Sequence, residues 1–365
     1  MQSGHRFPGP LRRAARRGSA GVTMASNCAA NSDMTSLKPA ISVLVTGVGA
    51  IIGQGIIRGL KRSGRTIRVV GLDRSDQSHG PFLCDAFHRK PDCSEETLDY
   101  PLFWRRLLQQ EDIDLVLPGL EVDMFFVDAQ RHLFEELGVP VVVNRPELIA
   151  LSADKWLFGD FLSSAGFPRI PSSIPRSWAQ AVSELGPPPL LLKPRRGNGS
   201  RGIVKLEDER DFNYWTSKSD ENWMLQKIIG DDANEFTVGV FGFGNGESLN
   251  PLVLRRRLSA AGNTLEAQVV HDGDVLEASQ QLTRCFRPLG PTNYQFRKHG
   301  GVPYLLEINP RFSSSNSLRT AFGFNEAQMA VDFFLFGERP LEPMINMGIG
   351  WRYSEDFVRH DCHHL

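Results

Sequence analysis

The chain has 365 residues, and its 41 lysine and arginine residues nearly balance its 42 aspartate and glutamate residues, leaving a formal net charge of −1. This length allows two or three domains with hydrophobic cores, and the near-neutral charge argues against nucleic acid or an anionic membrane as a partner. The five cysteines form no CxxC pair, which argues against a disulfide framework and fits a reducing cytoplasm. No apolar run is long enough to span a bilayer. A soluble, cytoplasmic protein is expected, and any basic site must be local.

Residues 1–39 are rich in arginine, serine, glycine and alanine and contain a single acid, Asp33. This composition resembles an organellar transit peptide, and it equally suits a disordered extension or a start codon placed too early, with Met24 or Met34 as alternatives. Disorder is the expectation for this tail, and the predicted fold excludes it.

Alternating strand and helix patterns begin at residue 41. A β-rich run at 41–46 leads into a glycine-rich loop, a helix with Ile52, Ile56 and Leu60 on one face, and a second strand at 67–73. The further units are predicted as a helix at 100–110, a strand at 113–119, a helix at 123–138 and a strand at 140–144. Such an order is typical of a doubly wound sheet and predicts an α/β, Rossmann-like domain over residues 40–145.

The pattern changes after residue 145. The segment 146–186 is predicted as helices and turns, and the rest of the chain as α+β and mostly antiparallel. Strands are predicted within 189–206, 222–230, 234–247 and 254–264, and a hairpin at 292–309. Folding that hairpin about Gly300 and Gly301 would bring Gln295 opposite Glu307.

The loop GVGAIIGQG after the first strand suggests a dinucleotide fingerprint, and Asp73 lies where an acid could hold a ribose. However, the glycine spacing is GxGxxxG, and any tight turn between a strand and a helix favours glycine. The structural explanation is slightly preferred, and an NAD(P)-dependent oxidoreductase remains an alternative.

The run YLLEINPRF ends in polar residues. If 304–309 is a strand, Leu305, Glu307 and Asn309 share one face, while the apolar residues at 304, 306 and 308 face the other way and can bury. The oxygens of Glu307 and Asn309, joined by Gln295 from the TNYQF strand, are hard ligands of the kind that Mg²⁺ takes beside water and substrate phosphates. The alternative is a solvated strand end at which Asn-Pro starts a turn.

A second candidate site is the loop LLLKPRRGNGSRG. Lys193 ends a strand, and the glycines and Ser200 that follow offer free backbone N–H groups and a hydroxyl, which can fold over phosphate oxygens. A mobile basic turn explains this loop equally well. Upstream, Lys155 lies near the start of a predicted helix, where a lone lysine is usually solvated.

Taken in order, ADK, LLLKPRRGNGSRG, MLQKIIG with NEFTVGV, TNYQF and LLEINPRF resemble the ATP-grasp superfamily, in particular the single-domain relatives of the carbamoyl phosphate synthetase large subunit. The resemblance covers about residues 40–340. It implies a Rossmann-like pre-ATP-grasp domain followed by an α+β ATP-grasp domain of two subdomains. The implied boundaries are 40–145 for the first domain, 146–224 for the subdomain with the phosphate loop, 225–345 for the subdomain with the metal site, and 346–365 for a C-terminal tail.

The resemblance also implies roles for individual residues. Lys155 and Lys193 would neutralise the ATP phosphates, and the loop at 197–202 would close over them. The residues implied to bind ATP are Lys155, Lys193, Gly197, Gly199, Ser200, Gly202, Gln226, the backbone of Lys227, Ile229 and Glu235, the last on the ribose. Gln295, Glu307 and Asn309 would bind Mg²⁺ or Mn²⁺, and Arg311 with Lys193 would act on the transferring phosphoryl group. Two departures from the family are Gln226, where many members have glutamate, and Gln295, where many have an acid.

The implied reaction is phosphorylation of a substrate carboxylate by ATP, followed by attack of an amine on the acyl phosphate. The partners are then a small-molecule carboxylate and an amine, without nucleic acid or membrane, and a homodimer is compatible with this reading. Arg255 and Arg257, with Arg256 opposite them, are predicted to clamp an acidic substrate or to form an exposed basic edge, and Arg319 is a similar candidate. An ATP-binding regulator that has lost catalysis is the rival interpretation.

Overall fold

The computed structural model describes residues 41–197, 202–219, 222–259 and 262–358. The predicted tail at 1–39, as well as Gly199 and Ser200 of the predicted phosphate loop, lie outside these ranges. Within them, none of the helices is long and apolar enough to cross a membrane.

A parallel sheet forms the N-terminal part of the fold. Its strands are β1 (Ile41–Thr46), β2 (Ile67–Asp73), β3 (Ala86–Arg89) and β4 (Leu115–Leu117), and its helices are α1 (Ile51–Lys61), α2 (Asp99–Gln110), α3 (Glu121–Ala129) and α4 (Arg131–Leu137). The strand order is β3–β2–β1–β4, with every pairing parallel. The predictions of β1, β2 and the helix after β1 are confirmed. Parallel strands joined by helices are buried on both faces, which accounts for their continuous apolar sequences.

Two elements of this region were predicted wrongly. The segment 140–144 forms an isolated bridge between Val116 and Val141 instead of a strand, and Pro140 at its start has no amide hydrogen to donate. The predicted helix at 123–138 is two helices, because the backbone leaves the helical conformation at Gln130. Strand β3 was not predicted, since its sequence AFHR is short and does not alternate.

A small antiparallel sheet follows. Its strands are β5 (Ser172–Ser173), β6 (Leu190–Pro194), β7 (Val204–Leu206) and β8 (Trp223–Lys227), and the helices of this stretch are α5 (Pro146–Ser152), α6 (Lys155–Ser164), α7 (Trp178–Leu185) and α8 (Glu209–Lys218). The order is β5–β8–β6–β7, and α7 and α8 cover one face through Ala181, Leu185 and Phe212. The two strands predicted within 189–206 are confirmed. Strand β8 runs across the boundary expected at residue 224 and ends at Lys227. The division into domains stays a prediction.

A larger antiparallel sheet completes the fold. Its strands are β9 (Glu235–Phe243), β10 (Leu252–Leu258), β11 (Thr264–Val269), β12 (Leu289–His299), β13 (Val302–Asn309) and β14 (Ile349–Trp351), and its helices are α9 (Gly273–Phe286), α10 (Asn316–Ala321) and α11 (Glu326–Ala330). The order is β13–β12–β9–β10–β11–β14. One face packs against Leu148 of α5, Phe158 of α6 and Phe286 of α9. Strand β14 lies in the segment 346–365 that was expected to be a tail, which corrects that prediction.

Glycines join the N-terminal sheet to the larger one. Helix α1 packs against α10 and α11, and a Cβ atom on Gly55 would lie 1.6 Å from Oδ1 of Asn316. A Cβ atom on Gly59 would similarly lie 2.7 Å from Oδ1 of Asn325. Since these two glycines are four residues apart, they share one helix face. The close approach holds α1 against the two helices that follow strand β13.

The hairpin of β12 and β13 has the predicted pairing. Gln295 is the cross-strand partner of Glu307, and the turn consists of Gly300 and Gly301 with φ of 56° and 81°. Positive φ at both central residues matches the right-handed twist of the strands and favours glycine.

One detail of β13 was predicted wrongly. The register shifts after Gln295, because Phe296 pairs with Leu305 and leaves Leu306 as an extra residue. Beyond such a bulge, each side chain points to the face opposite to the one that strict alternation predicts. Leu305 therefore lies in the core with Phe296, and Leu306 faces the same cavity as Glu307.

Candidate functional site

The sequence-predicted residues meet in one cavity. It has a volume of about 410 Å³ and lies between the two antiparallel sheets and the carboxyl end of the parallel sheet. The predicted residues that line it are Lys155, Lys193, Gly197, Gln226, Lys227, Ile229, Glu235, Gln295, Glu307, Asn309 and Arg311. Gly202 is not part of the lining and lies near the ring of Pro194, while Gly199 and Ser200 fall outside the described residues.

The cavity is strongly basic although the chain is not. Six of its lining residues are lysine or arginine and three are glutamate, whereas the whole chain has a formal charge of −1. A concave site with an excess of cations concentrates field lines and attracts anions. This arrangement suits a ligand that carries several phosphates or carboxylates.

Lys155 is positioned by the residue before it. Oδ1 of the buried Asp154 accepts from the amides of Trp156 and Leu157, which caps α6 at its start. The same carboxylate binds the guanidinium of Arg195 at 2.7 Å, and Nζ of Lys155 donates to the carbonyl of Gly197 at 2.6 Å. Burial opposes ionisation of Asp154, but these hydrogen bonds outweigh it and hold the pKa of the carboxyl below its usual range. The Ala-Asp-Lys sequence thus ties α6 to the start of the predicted phosphate loop.

Lys193 enters the cavity from β6. Burial, reinforced by the charge of Lys155 and opposed by that of Glu307, lowers the pKa of Lys193 from 10.5 to about 8. Burial also lowers the pKa of Lys155, which Glu307 and Glu121 oppose. A buried ammonium group whose protonation is opposed by burial and by a neighbouring lysine indicates a place where bound negative charge would be stabilised.

Gln226 has a fixed orientation. Its Nε2 donates to Oγ of Ser172 at 3.0 Å, and that hydroxyl donates to the carbonyl of Ile170 at 2.9 Å. Because the hydroxyl proton of Ser172 is already donated to Ile170, the hydroxyl oxygen can only accept a hydrogen bond from Gln226. This determines which end of the Gln226 amide carries the nitrogen. The Oε1 atom of Gln226 is therefore presented as a hydrogen-bond acceptor in the cavity wall.

Glu235 lies between two arginines. Its Oε1 accepts from Arg256 at 2.7 Å and its Oε2 from Arg297 at 2.6 Å, and its side chain is 5% exposed. Arg256 also donates to Oε1 of Gln295 at 2.7 Å. Removing this buried carboxylate would leave the charge of the buried Arg256 uncompensated, so Glu235 contributes to the stability of the fold. The ribose role implied for Glu235 stays a prediction.

The arginines of β10 differ from their predicted use. Arg255 and Arg257 are exposed and bind Gln268 and Glu266 on the neighbouring strand β11, so neither lines the cavity. Arg256, which was expected to face the other way from them, is the arginine that reaches the cavity. Strand β10 is an interior strand of the sheet, which excludes an exposed basic edge.

Arg319 likewise does not line the cavity. It is fully buried, pairs with the buried Glu326 at 3.0 Å, and also donates to Thr237 and Asn293. Its place in a closed internal network argues for a structural role, and the prediction that it binds substrate is not supported.

Glu307 and Asn309 present oxygens to the cavity from the end of β13. The described residues contain no cluster of three or more histidine, cysteine, aspartate or glutamate side chains that could hold a metal without help. One carboxylate and one amide oxygen nevertheless suit Mg²⁺, which keeps waters and commonly shares its site with substrate phosphates. Gln295 fits less well as a ligand, because its Oε1 already accepts from the guanidinium of Arg256.

Arg311 pairs with a residue that the sequence analysis missed. Its Nη2 lies 2.8 Å from Oε2 of Glu121, at the start of α3, and its Nη1 donates to the carbonyl of Phe312. Glu121 follows β4 at the carboxyl end of a parallel sheet, where α/β folds bind ligands, so the signal was present. Gly119 brings this loop close to β1, since a Cβ atom there would lie 2.2 Å from the carbonyl of Thr46.

The glycine loop after β1 is explained by packing. Asp73 accepts from the amide of Gly49 at 2.9 Å, and a Cβ atom on Gly53 would lie 2.3 Å from the carbonyl of Gly47. Gly80 presses on the same loop, since a Cβ atom there would lie 2.7 Å from the amide nitrogen of Gly49. These close backbone approaches account for the glycines by packing, which favours the structural explanation.

Known proteins resemble the chain in parts. A family model described as "ATP-grasp in the biosynthetic pathway with Ter operon" matches residues 219–357. The carbamoyl phosphate synthase large chain of Mycobacterium tuberculosis (strain CDC 1551 / Oshkosh) is 28% identical over 206 residues, which are 50% of this chain and 18% of that relative. The chain thus spans less than a fifth of the relative's length.

Two solved structures have the same fold at low identity. The biotin carboxylase domain of Hydrogenobacter thermophilus 2-oxoglutarate carboxylase, with MgADP, ADP and bicarbonate, has a TM-score of 0.63 and 19% identity and covers 84% of this chain and 73% of that one. An L-amino acid ligase from Bacillus licheniformis has a TM-score of 0.62 and 16% identity and covers 85% and 76%.

The likeness to these two structures shows that the chain shares their overall fold over most of its length. Together with the sequence matches, it identifies the chain as a relative of the ATP-grasp superfamily. Within the superfamily, its sequence is similar to part of the carbamoyl phosphate synthase large chain.

Proposed function

We propose that the chain is an ATP-dependent ligase that activates a carboxylate as an acyl phosphate and joins it to an amine, with release of ADP and phosphate. The observation that carries the proposal is the convergence of two lysines, a fixed amide acceptor, a carboxylate–amide pair and an arginine in one basic cavity, although they come from different elements. Relatives named as an amino acid ligase and as a carboxylase with bound MgADP support this class of reaction.

In this proposal the nucleotide lies across the small sheet. Oε1 of Gln226 accepts from the adenine amino group, and Ile229 and the backbone of Lys227 contact the base. Lys155 and Lys193 neutralise the phosphates. Glu235 contacts the ribose through Oε2, which accepts from Arg297 and keeps a further lone pair for a hydroxyl, whereas Oε1 accepts from both Nε and Nη2 of Arg256.

Glu307 and Asn309 would hold Mg²⁺ or Mn²⁺ in this proposal, and Gln295 would keep its bond to Arg256. The bound ion supplies positive charge to the terminal phosphates. The side chains around it do the rest by position and charge, because phosphoryl transfer needs little covalent help from the protein. Lys193 and Arg311 stabilise the charge on the transferring group.

The chemistry balances without a nucleophilic side chain. A carboxylate oxygen of the substrate attacks the γ-phosphorus, the bond to the β–γ bridging oxygen breaks, and ADP leaves with that electron pair. The nitrogen lone pair of the amine then attacks the acyl carbon and displaces phosphate, and the amine releases a proton. The products are an amide, ADP and phosphate.

The test measures release of ADP and phosphate from MgATP with a panel of carboxylates, each offered with and without amines. We expect turnover that depends on a carboxylate–amine pair and is lost in Glu307→Gln, while Glu135→Gln, an exposed residue of α4, behaves as wild type. Full activity of Glu307→Gln would refute the assigned metal site. ATP binding without turnover by any pair would favour the regulator interpretation.

A further inference from the structure

One end of the cavity is built by the N-terminal part of the fold. Ile52 at the start of α1 and Leu120 and Glu121 at the start of α3 line the cavity, together with Leu258 of β10 and Arg311. The lysines and Gln226 come instead from α6 and the small sheet. In the proposed ligase, a second substrate must therefore bind at the N-terminal end, beyond the terminal phosphate.

The ion pair at this end has an open side. Both Nε and Nη2 of Arg311 donate to a single oxygen, Oε2 of Glu121, at 3.3 Å and 2.8 Å. In the part of the chain that the structure describes, Oε1 of Glu121 has no hydrogen-bond donor. The side chains are 14% and 23% exposed, so both can contact a ligand. A cation that reached Oε1 would find an acceptor already held in place by Arg311.

We propose that this end of the cavity binds an α-amino acid with an aliphatic side chain, as the substrate whose carboxylate is phosphorylated; this rests on the ligase function proposed above. The ammonium group binds Oε1 of Glu121, and the carboxylate lies on the side of Arg311. Because both groups of an α-amino acid are attached to the same carbon atom, they match an arginine and a glutamate already in contact. Ile52, Leu120 and Leu258 form the apolar wall for the side chain.

Other carboxylates fit this end less well. A simple fatty acid would place hydrocarbon against the open oxygen of Glu121 and leave that acceptor without a donor, which is costly. A dicarboxylate would bring a second negative charge towards Glu121. The proposal therefore names the amino group, and not the carboxylate alone, as the feature that is recognised.

The test isolates the first half of the reaction with hydroxylamine in place of the amine. Hydroxylamine attacks the acyl phosphate, displaces phosphate and yields a hydroxamate, which is measured directly. The substrates are leucine and 4-methylpentanoate, which share a carbon skeleton and differ in the amino group. For wild type we expect a clear preference for leucine in kcat/KM.

The matched variants are Glu121→Gln and Glu135→Gln. Loss of one charge-assisted hydrogen bond predicts a roughly 10- to 100-fold lower kcat/KM for leucine in Glu121→Gln, without a matching loss for 4-methylpentanoate. Glu121→Asp should recover part of the preference, and Glu135→Gln should behave as wild type. Unchanged melting and MgATP affinity in Glu121→Gln would show that the fold and the nucleotide site are intact.

The outcomes separate the two proposals. Equal use of leucine and 4-methylpentanoate by wild type, or an unchanged preference in Glu121→Gln, overturns the amino acid inference and leaves the ligase standing. Hydroxamate from carboxylates without an amino group, but from no amino acid, does the same. Absence of hydroxamate with every carboxylate of the panel overturns the ligase function and the inference together.

Discussion

The affinity for ATP should fall as the pH rises through the pKa of Lys193. Burial and the charge of Lys155 lower this pKa to about 8 in the free protein. Bound phosphates favour the charged form of a nearby lysine and raise its pKa. Below pH 8 the lysine is therefore protonated whether or not ATP is bound, whereas above pH 8 ATP binding must take up a proton. Affinity is highest on the acid side and is lost on the alkaline side.

The size of the effect follows from the two pKa values. If the phosphates return Lys193 to an ordinary pKa near 10.5, the dissociation constant for ATP should rise about tenfold between pH 7 and pH 9, or about 1.4 kcal/mol. The second ionisation of a phosphate monoester lies near pH 6, so the charge of ATP itself changes little above pH 8. Lys155 adds to the slope in the same direction, because burial lowers its pKa too.

The assay is calorimetric titration with MgATP at pH 7, 8 and 9, repeated in buffers of different ionisation enthalpy to count protons. Lys193→Arg keeps its charge at every pH used and should flatten the slope. Lys205→Arg, an exposed residue of β7, is the matched control and should keep it. A wild-type affinity that is constant from pH 7 to pH 9, or a slope that survives in Lys193→Arg, would refute the reasoning.

Two further predictions concern fixed side chains in the cavity wall. Ser172→Ala removes the acceptor that holds Nε2 of Gln226, so the amide can turn and donate to a keto group; the preference for ATP over inosine triphosphate should drop by roughly 3- to 10-fold, measured as a ratio of dissociation constants. An unchanged ratio would mean that Ser172 does not set the orientation. Glu235→Ala leaves the buried Arg256 without its carboxylate partner, while the partly exposed Arg297 keeps its pair with Asp232, and should lower the free energy of unfolding by about 3–5 kcal/mol in urea denaturation. Glu247→Ala, which breaks only an exposed pair with Arg339, should leave the midpoint in place, and an equal shift in both variants would contradict the assignment.

The predictions from the sequence succeeded where a pattern is local. The alternation of side chains along the two strands and the glycine pair at 300 and 301 correctly predicted that Gln295 lies opposite Glu307. The Ala-Asp-Lys segment was selected because of Lys155. The role of Asp154, which caps α6 and binds Arg195, depends on contacts that a linear sequence pattern does not show.

The failures have physical causes that lie outside any one segment. The bulge at Leu306 is an insertion of one residue relative to the partner strand, so the alternation in β13 looks unbroken when β13 is read alone. On β10 the alternation was right, but all three arginines are polar, and the pattern could not tell which face was inside. Glu121 and Arg311 are 190 residues apart, and their contact depends on how α1 packs against α10 and α11.

Arg256 connects these details into one account of the cavity. Its guanidinium donates to Glu235 and to Oε1 of Gln295 at the same time. The amide of Gln295, for which the family resemblance implies a metal-binding role, therefore faces a positive charge. A divalent ion placed at Gln295 would have to break that bond and lie close to a guanidinium, which repels it. In the proposed function, this geometry favours a metal ion held by Glu307 and Asn309 over one held by Gln295. Glu307 is then the single carboxylate of the proposed metal site, which suits Mg²⁺ because that ion commonly completes its coordination with water and with the phosphates of its substrate.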